Sequence, residues 1–167
     1  RSLNPTWLAI AERRGVSYEV VAAEKAAADL AEALDDKEKM TQWRKEACRF
    51  QDDLLWSLNK VISKKNLNYI PGSIEWADFD PTATANAIAL LDFADVLPAD
   101  AIHATLDAYL VEHQGRHGGG VPWKNYSAYE IRLIGAFVRV ENREVAQELL
   151  DFFLSDRRPC GWNQWPE

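Results

Sequence analysis

A stretch almost free of charge, residues 82–96, and a second largely apolar stretch, residues 127–140 with Ile131, Leu133, Ile134, Ala136, Phe137 and Val138, each give way after a short break to a more polar stretch, residues 101–113 and 143–154. A helix that is apolar nearly all round has no solvent face and must be interior, whereas one with a polar stripe lies outside. The order is therefore buried helix, amphipathic helix, buried helix, amphipathic helix, with a period of 45 residues between the starts of the two buried members. The breaks within a pair are short, Leu97 to Asp100 and Glu141 to Asn142, and short connections make antiparallel neighbours. The pattern predicts an all-α chain of antiparallel helical hairpins, as in an α-solenoid or part of an α/α toroid.

Local signals place the remaining helices. Asn4, Pro5 and Thr6 open a short helix to Arg14, and Gly15 breaks it. Ser17 caps a helix through Leu34, with Glu19 in its first turn. Asp35 and Asp36 separate it from a longer helix to Ser63, where Met40, Trp43, Ala47, Phe50, Leu54, Leu58 and Val61 recur every three or four residues. Asp80 followed by Pro81 is a strong helix start, and Asn142 caps the last helix, whose Glu144, Gln147, Glu148 and Asp151 form an outer face. The sum is about seven helices in one helical domain spanning residues 1–167, with N-terminal helices in 1–66 and hairpin repeats in 67–167.

Charge and composition narrow the partners. A net charge of −7 repels nucleic-acid phosphates, and its mixed-sign surroundings are those of a generic aqueous surface. No apolar run approaches the roughly 18 residues that a membrane span needs, and no signal peptide is visible. The chain begins Arg1-Ser2, which predicts a piece of a longer polypeptide whose remainder is a partner. Two cysteines set no disulfide framework; Cys48 reads as a buried thiol, Cys160 as an incidental loop thiol, and cytoplasm is the default compartment.

Three aromatic, acid-bearing loops fall between the helices, at residues 69–80, 118–130 and 159–167. Trp76 and Trp123 are 47 residues apart, and Trp162 follows after another 39. With helices alternating up and down, loops at this spacing share one face, at the starts of the buried helices, and long loops on a rigid scaffold usually carry function. Trp76, Trp123, Tyr126, Tyr129, Trp162 and Trp165 offer flat faces for stacking, and Asn125, Asn163 and Gln164 offer directional amides. Carboxylates lie beside them. Glu75 and Asp78 flank Trp76, whose indole raises a neighbouring acid's pKa by desolvation, and Glu130 sits in the first turn of the second buried helix, where the dipole favours ionisation.

Glycosidic hydrolysis needs a proton donor and a second carboxylate, so Glu75 or Asp78 would serve as acid and Glu130 as base. Structural uses compete. Asp80 is an N-cap, Glu75 and Asp78 can brace their loop, and Glu130 can form a capping box with Ser127 or an ion pair with Arg132 or Arg139. Trp7, Trp43 and Trp56 lie in helical pattern and read as core. His113 and His117 have one-turn spacing, but Gly115 and Gly118 interrupt the helix there and no third ligand follows; no metal and no cofactor is predicted.

Residues 69–167 resemble the six-hairpin, (α/α)6-barrel glycosidase-like superfamily, in particular the helical domain of large, uncharacterised bacterial proteins of that group. The residues that carry the resemblance are Tyr69 to Glu75, Asp78 to Thr82, Tyr126 to Arg132 with Gly135 and Ala136, Glu148 to Leu154, Asp156 to Pro159 and Trp162 to Trp165. Residues 1–66 match only as helices. The resemblance implies paired inner and outer helices in a ring, a carbohydrate or other small-molecule ligand in the funnel at the amino-terminal ends of the inner helices, and an incomplete toroid in this chain. A carbohydrate-active domain, hydrolytic or purely sugar-binding, is the first expectation; a non-catalytic helical scaffold that presents its aromatic loops to a partner or neighbouring domain is the second.

Overall fold

The computed structural model describes residues 17–122 and 128–156. Among them the chain is all-helical, with six α-helices, one 3-10 turn and no strand. Helix α1 (Tyr18–Ala33) packs lengthwise on α2 (Lys37–Lys65); α3 (Pro81–Ala89), α4 (Ala99–His117), α5 (Arg132–Arg139) and α6 (Arg143–Ser155) follow, with a 3-10 turn (Ala128–Ile131) leading into α5. The turns between α1 and α2 and between α5 and α6 are three residues long, so each pair is an antiparallel hairpin. Helix α3 packs against both α4 and α5, and α5 against α6. The inner members of the two hairpins, α3 and α5, therefore lie side by side, with α4 and α6 each attached to its own inner helix.

The caps read from the sequence hold. Ser17 Oγ accepts from Val20 N, Asp36 Oδ1 from Lys39 N and Asn142 Oδ1 from Val145 N, each satisfying an amide that its helix cannot. Asp80 does most: its Oδ1 accepts from Thr82 N (2.9 Å), Ala83 N (3.2 Å) and Thr82 Oγ1 (2.7 Å). One apolar cluster joins all six helices, with Val21, Leu54, Leu58, Ile88, Leu106, Tyr109, Leu133, Phe137, Leu149 and Phe153 at its centre. In α3 five consecutive residues, Thr84 to Ile88, are buried, as an interior helix requires. The outer face of α6 is exposed at Glu144, Gln147, Glu148 and Asp151 as expected.

Several expectations are corrected. The first buried helix stops at Ala89 rather than running to residue 96, because Asp92 turns left-handed (φ 59°) and Phe93 leaves the helical path to meet the Tyr18 ring at 4.8 Å, tying the α3–α4 connection to α1. Helix α5 is shorter than 127–140 and one-sided: Leu133, Ala136 and Phe137 are buried, but Val138 is 54% exposed. Helix α4 passes through Gly115 and ends only at His117. Gly115 is there for space, since a Cβ would lie 2.7 Å from Val121 Cγ2. Trp56 is on the surface, 42% exposed with the Lys60 ammonium 4.8 Å from its ring, and Trp43 is half-buried, because among the described residues α2 packs chiefly on α1. Cys48 is exposed for the same reason. The predicted helix ending at Arg14, Trp7 and Cys160 lie outside the described residues.

Candidate functional site on the loop face

The loop at residues 66–80 is a closed structure with its own hydrogen bonds. Asp78 Oδ1 accepts from Ser73 N (3.0 Å), Gly72 N donates to the Asp78 carbonyl (3.0 Å), Ala77 N to the Ser73 carbonyl (2.8 Å) and the Tyr69 hydroxyl to the Ala77 carbonyl (2.9 Å). Gly72 is demanded by close approach: a Cβ would stand 2.5 Å from Asp80 Cβ. The loop is anchored on α4 by Ile70 N, which donates to Thr105 Oγ1 (2.8 Å), and on α3 by Thr84 Oγ1, which donates to the Ile70 carbonyl (3.4 Å). Ile70, Ser73 and Ile74 are buried, so the loop turns Glu75 and Trp76 outward; Trp76 is 61% exposed. Of the three acids here, Asp78 braces the loop, Asp80 caps α3, and Glu75 makes no ion pair or hydrogen bond with a described residue.

The 3-10 turn before α5 divides its residues between water and core. Tyr129 is 40% exposed and Glu130 is 4% exposed. Arg132 folds back so that its guanidinium lies 4.5 Å from the Tyr129 ring centre, a cation–π distance. Burial holds the Arg132 pKa below its ordinary value, while Tyr129 and Asp80 act in the opposite direction. Asp80 caps the start of α3, Arg132 begins α5, and the 3-10 turn before α5 packs against α3, so the amino-terminal ends of the two inner helices lie near each other.

Glu130 faces inward to Arg116, not to Arg132 or Arg139. Arg116 Nη1 donates to both Glu130 oxygens, at 2.8 and 2.9 Å, with both side chains nearly sealed from water. Arg139 pairs instead with Asp92 and lies 3.9 Å from Asp95, pinning the end of α5 to the α3–α4 connection.

One cluster escaped sequence reasoning. Because α4 continues past Gly115, Tyr109, His113, Arg116 and His117 fall on one stripe at its carboxyl-terminal end. His113 is 3% exposed, and its ring meets His117 at 4.8 Å and Phe152 of α6 at 4.9 Å. Its Nδ1 has no hydrogen-bond partner among the described residues. Burial first, then the charges of His117 and Arg116, push its pKa down to about 4. The signal lay in the sequence: the stripe Ile102, Leu106, Tyr109, His113 continues the helical period without a break. No group of three or more potential metal ligands converges among the described residues.

No protein family, curated protein or solved structure matches the chain. Of the residues expected on the loop face, Glu75, Trp76, Asp78, Tyr129 and Glu130 have described positions, and Trp123, Tyr126, Trp162, Asn163 and Trp165 lie outside the described residues. At the far end of the α4–α5–α6 unit a cleft of about 290 Å³ opens between His103, Asp107, Phe137, Val140 and Glu141, and none of the expected residues lines it. No helix among the described residues is long and apolar enough to cross a membrane.

Proposed function

We propose that this chain is a carbohydrate-binding helical domain, a segment of an α/α toroid that takes a sugar on the aromatic loops at the amino-terminal ends of its inner helices. The observation that carries this reading is Trp76: a large ring, 61% exposed, held at the tip of a loop whose backbone is tied by its own hydrogen bonds. A loop that is ordered without the indole's help is pre-organised for a ligand, because little further entropy is lost on binding. Tyr129 offers a second exposed ring on the neighbouring element, with the Arg132 guanidinium stacked on it as a polar contact.

Binding is favoured over hydrolysis by where the carboxylates stand. A base must reach the attacking water and an acid the leaving oxygen, yet Glu130 is directed into Arg116 and Asp78 into the Ser73 amide. Glu75 remains as one acid at the surface, and a single carboxylate does not make the pair. The second reading, a scaffold that docks a protein or a neighbouring domain, draws on Leu90, just after α3, and Val138 of α5, exposed by 73% and 54%.

Screening the chain on a glycan array, followed by calorimetry on the best sugar, tests the proposal. Trp76→Ala is expected to weaken binding by about tenfold, since loss of one aromatic stacking contact is worth about 1.4 kcal/mol, whereas Glu144→Gln on the exposed outer face of α6 leaves affinity unchanged. A flat response across all sugars, or sugar binding indifferent to Trp76, sinks the proposal and moves weight to the scaffold reading.

A further inference from the structure

The end of α4 holds a histidine whose described surroundings disfavour its charged form. His113 is buried, its Nδ1 lacks a described partner, and the rings around it are Tyr109 (5.7 Å) and His117 (4.8 Å) from α4 and Phe152 (4.9 Å) from α6. Among the described residues the groups that act against its protonation, after burial, are His117 and Arg116 of α4 itself. Arg116 is in turn held by Glu130 from the 3-10 turn and lies 3.9 Å from Glu112, while the α6 acids Glu148 and Asp151 are exposed. Protonated, His113 would present a second N–H donor and a positive charge to aromatic edges and the nearby Arg116 guanidinium. Its cheapest relief is to leave the pocket.

We propose that this cluster is an acid-sensitive latch: protonation of His113 releases the end of α4 from Phe152 of α6 and loosens the Arg116–Glu130 tie that fixes the start of α5, so that the loop face opens in acid. The latch joins three elements. Helix α4 reaches α6 here through the His113 and His117 rings on Phe152, and Arg116, one turn from His113, is the side chain that pulls Glu130 inward.

The sign follows from linkage. The folded-state pKa is lowered, to about 4 from an ordinary 6.5, so the unfolded or opened state binds the proton more readily. The closed latch is fully stable above about pH 6.5 and loses stability as pH falls through the window to about 4.

The test begins with the wild-type chain. Imidazole C–H signals followed by NMR are expected to show one of the three histidines titrating far below the others, at about pH 4. Hydrogen exchange, corrected for its intrinsic pH dependence, is expected to show amides of residues 113–117 and 130–135 opening about tenfold more per pH unit between pH 6 and 4.5, the slope for one proton taken up on opening, while the α1–α2 hairpin keeps its protection. His113→Phe, which retains the ring contacts, and His113→Gln are both expected to flatten that local slope. Three histidines titrating together near their ordinary value, or acid opening that is uniform along the chain and unchanged in a folded variant, overturns the latch; if neither variant folds, the wild-type titration and exchange pattern decide it.

Discussion

Glu130 and Arg116 withdraw a carboxylate and a guanidinium from water together, and their value to the fold lies in what happens when one is removed. A buried ion pair adds little net stability over an apolar pair, but breaking it strands the other charge. Glu130→Ala is therefore expected to lower unfolding stability by about 3–5 kcal/mol, read from urea titration monitored by circular dichroism. The pair spans 14 residues across a loop, and nothing in the sequence selects Arg116 over Arg132 or Arg139 as the partner. The caps are different in kind. Ser17, Asp36, Asp80 and Asn142 act on amides two or three residues ahead, so their roles are written in the adjoining residues. Asp80→Ala should cost about 0.5–2 kcal/mol by the same measurement, the usual range for a lost N-cap.

At the scale of elements, the side-chain-capped starts of α1, α2, α3 and α6 were legible, whereas α5 begins at Arg132 rather than 127 and the ends of α3 and α4 were misplaced. Four helices end on a residue in the left-handed region followed by an amide that reaches back five residues: Asp36 N to the Ala31 carbonyl, Leu67 N to Ile62, Gly120 N to Gly115 and Asn142 N to Phe137. Only one of these ends uses glycine, Gly119, while Asp35 (φ 57°), Asn66 (φ 51°) and Glu141 (φ 63°) occupy the others. Without glycine the stop carries little sequence signal. Glu141→Gly should raise stability by about 0.5–1 kcal/mol, relief of left-handed strain outweighing the extra freedom of the unfolded chain; a fall in the unfolding midpoint would contradict this account. The loop at 66–80 gives the opposite case. Gly72→Ala drives a Cβ into Asp80 Cβ, and about 1–3 kcal/mol of destabilisation is expected, with weakened capping of α3 seen as faster amide exchange at Thr82 and Ala83.

For the whole molecule, the inner helices set the geometry. Gly135 on α5 faces Ala89 on α3, where a Cβ would come within 3.1 Å of the alanine methyl. Gly135→Val is expected to force α3 and α5 apart and lower the thermal midpoint by several degrees, as about 1–3 kcal/mol of overpacking does in a domain of this size. The same change should also weaken any ligand that bridges Trp76 and Tyr129, whereas the acid latch at His113 should be untouched. The sequence by itself determined that the chain is all-α, that α3 is interior and α6 has a polar outer face, and where α1, α2, α3 and α6 begin, because hydrophobic period and capping are local properties that survive without knowledge of the neighbours. Only the tertiary structure decided that Phe93 leaves its helix for α1, that Trp56 stays on the surface, that Glu130 turns inward to Arg116 and that His113 is buried with no described hydrogen-bond partner at its Nδ1. Each of those depends on which distant side chain occupies the adjacent space, and burial, unlike periodicity, is a property of the packed chain.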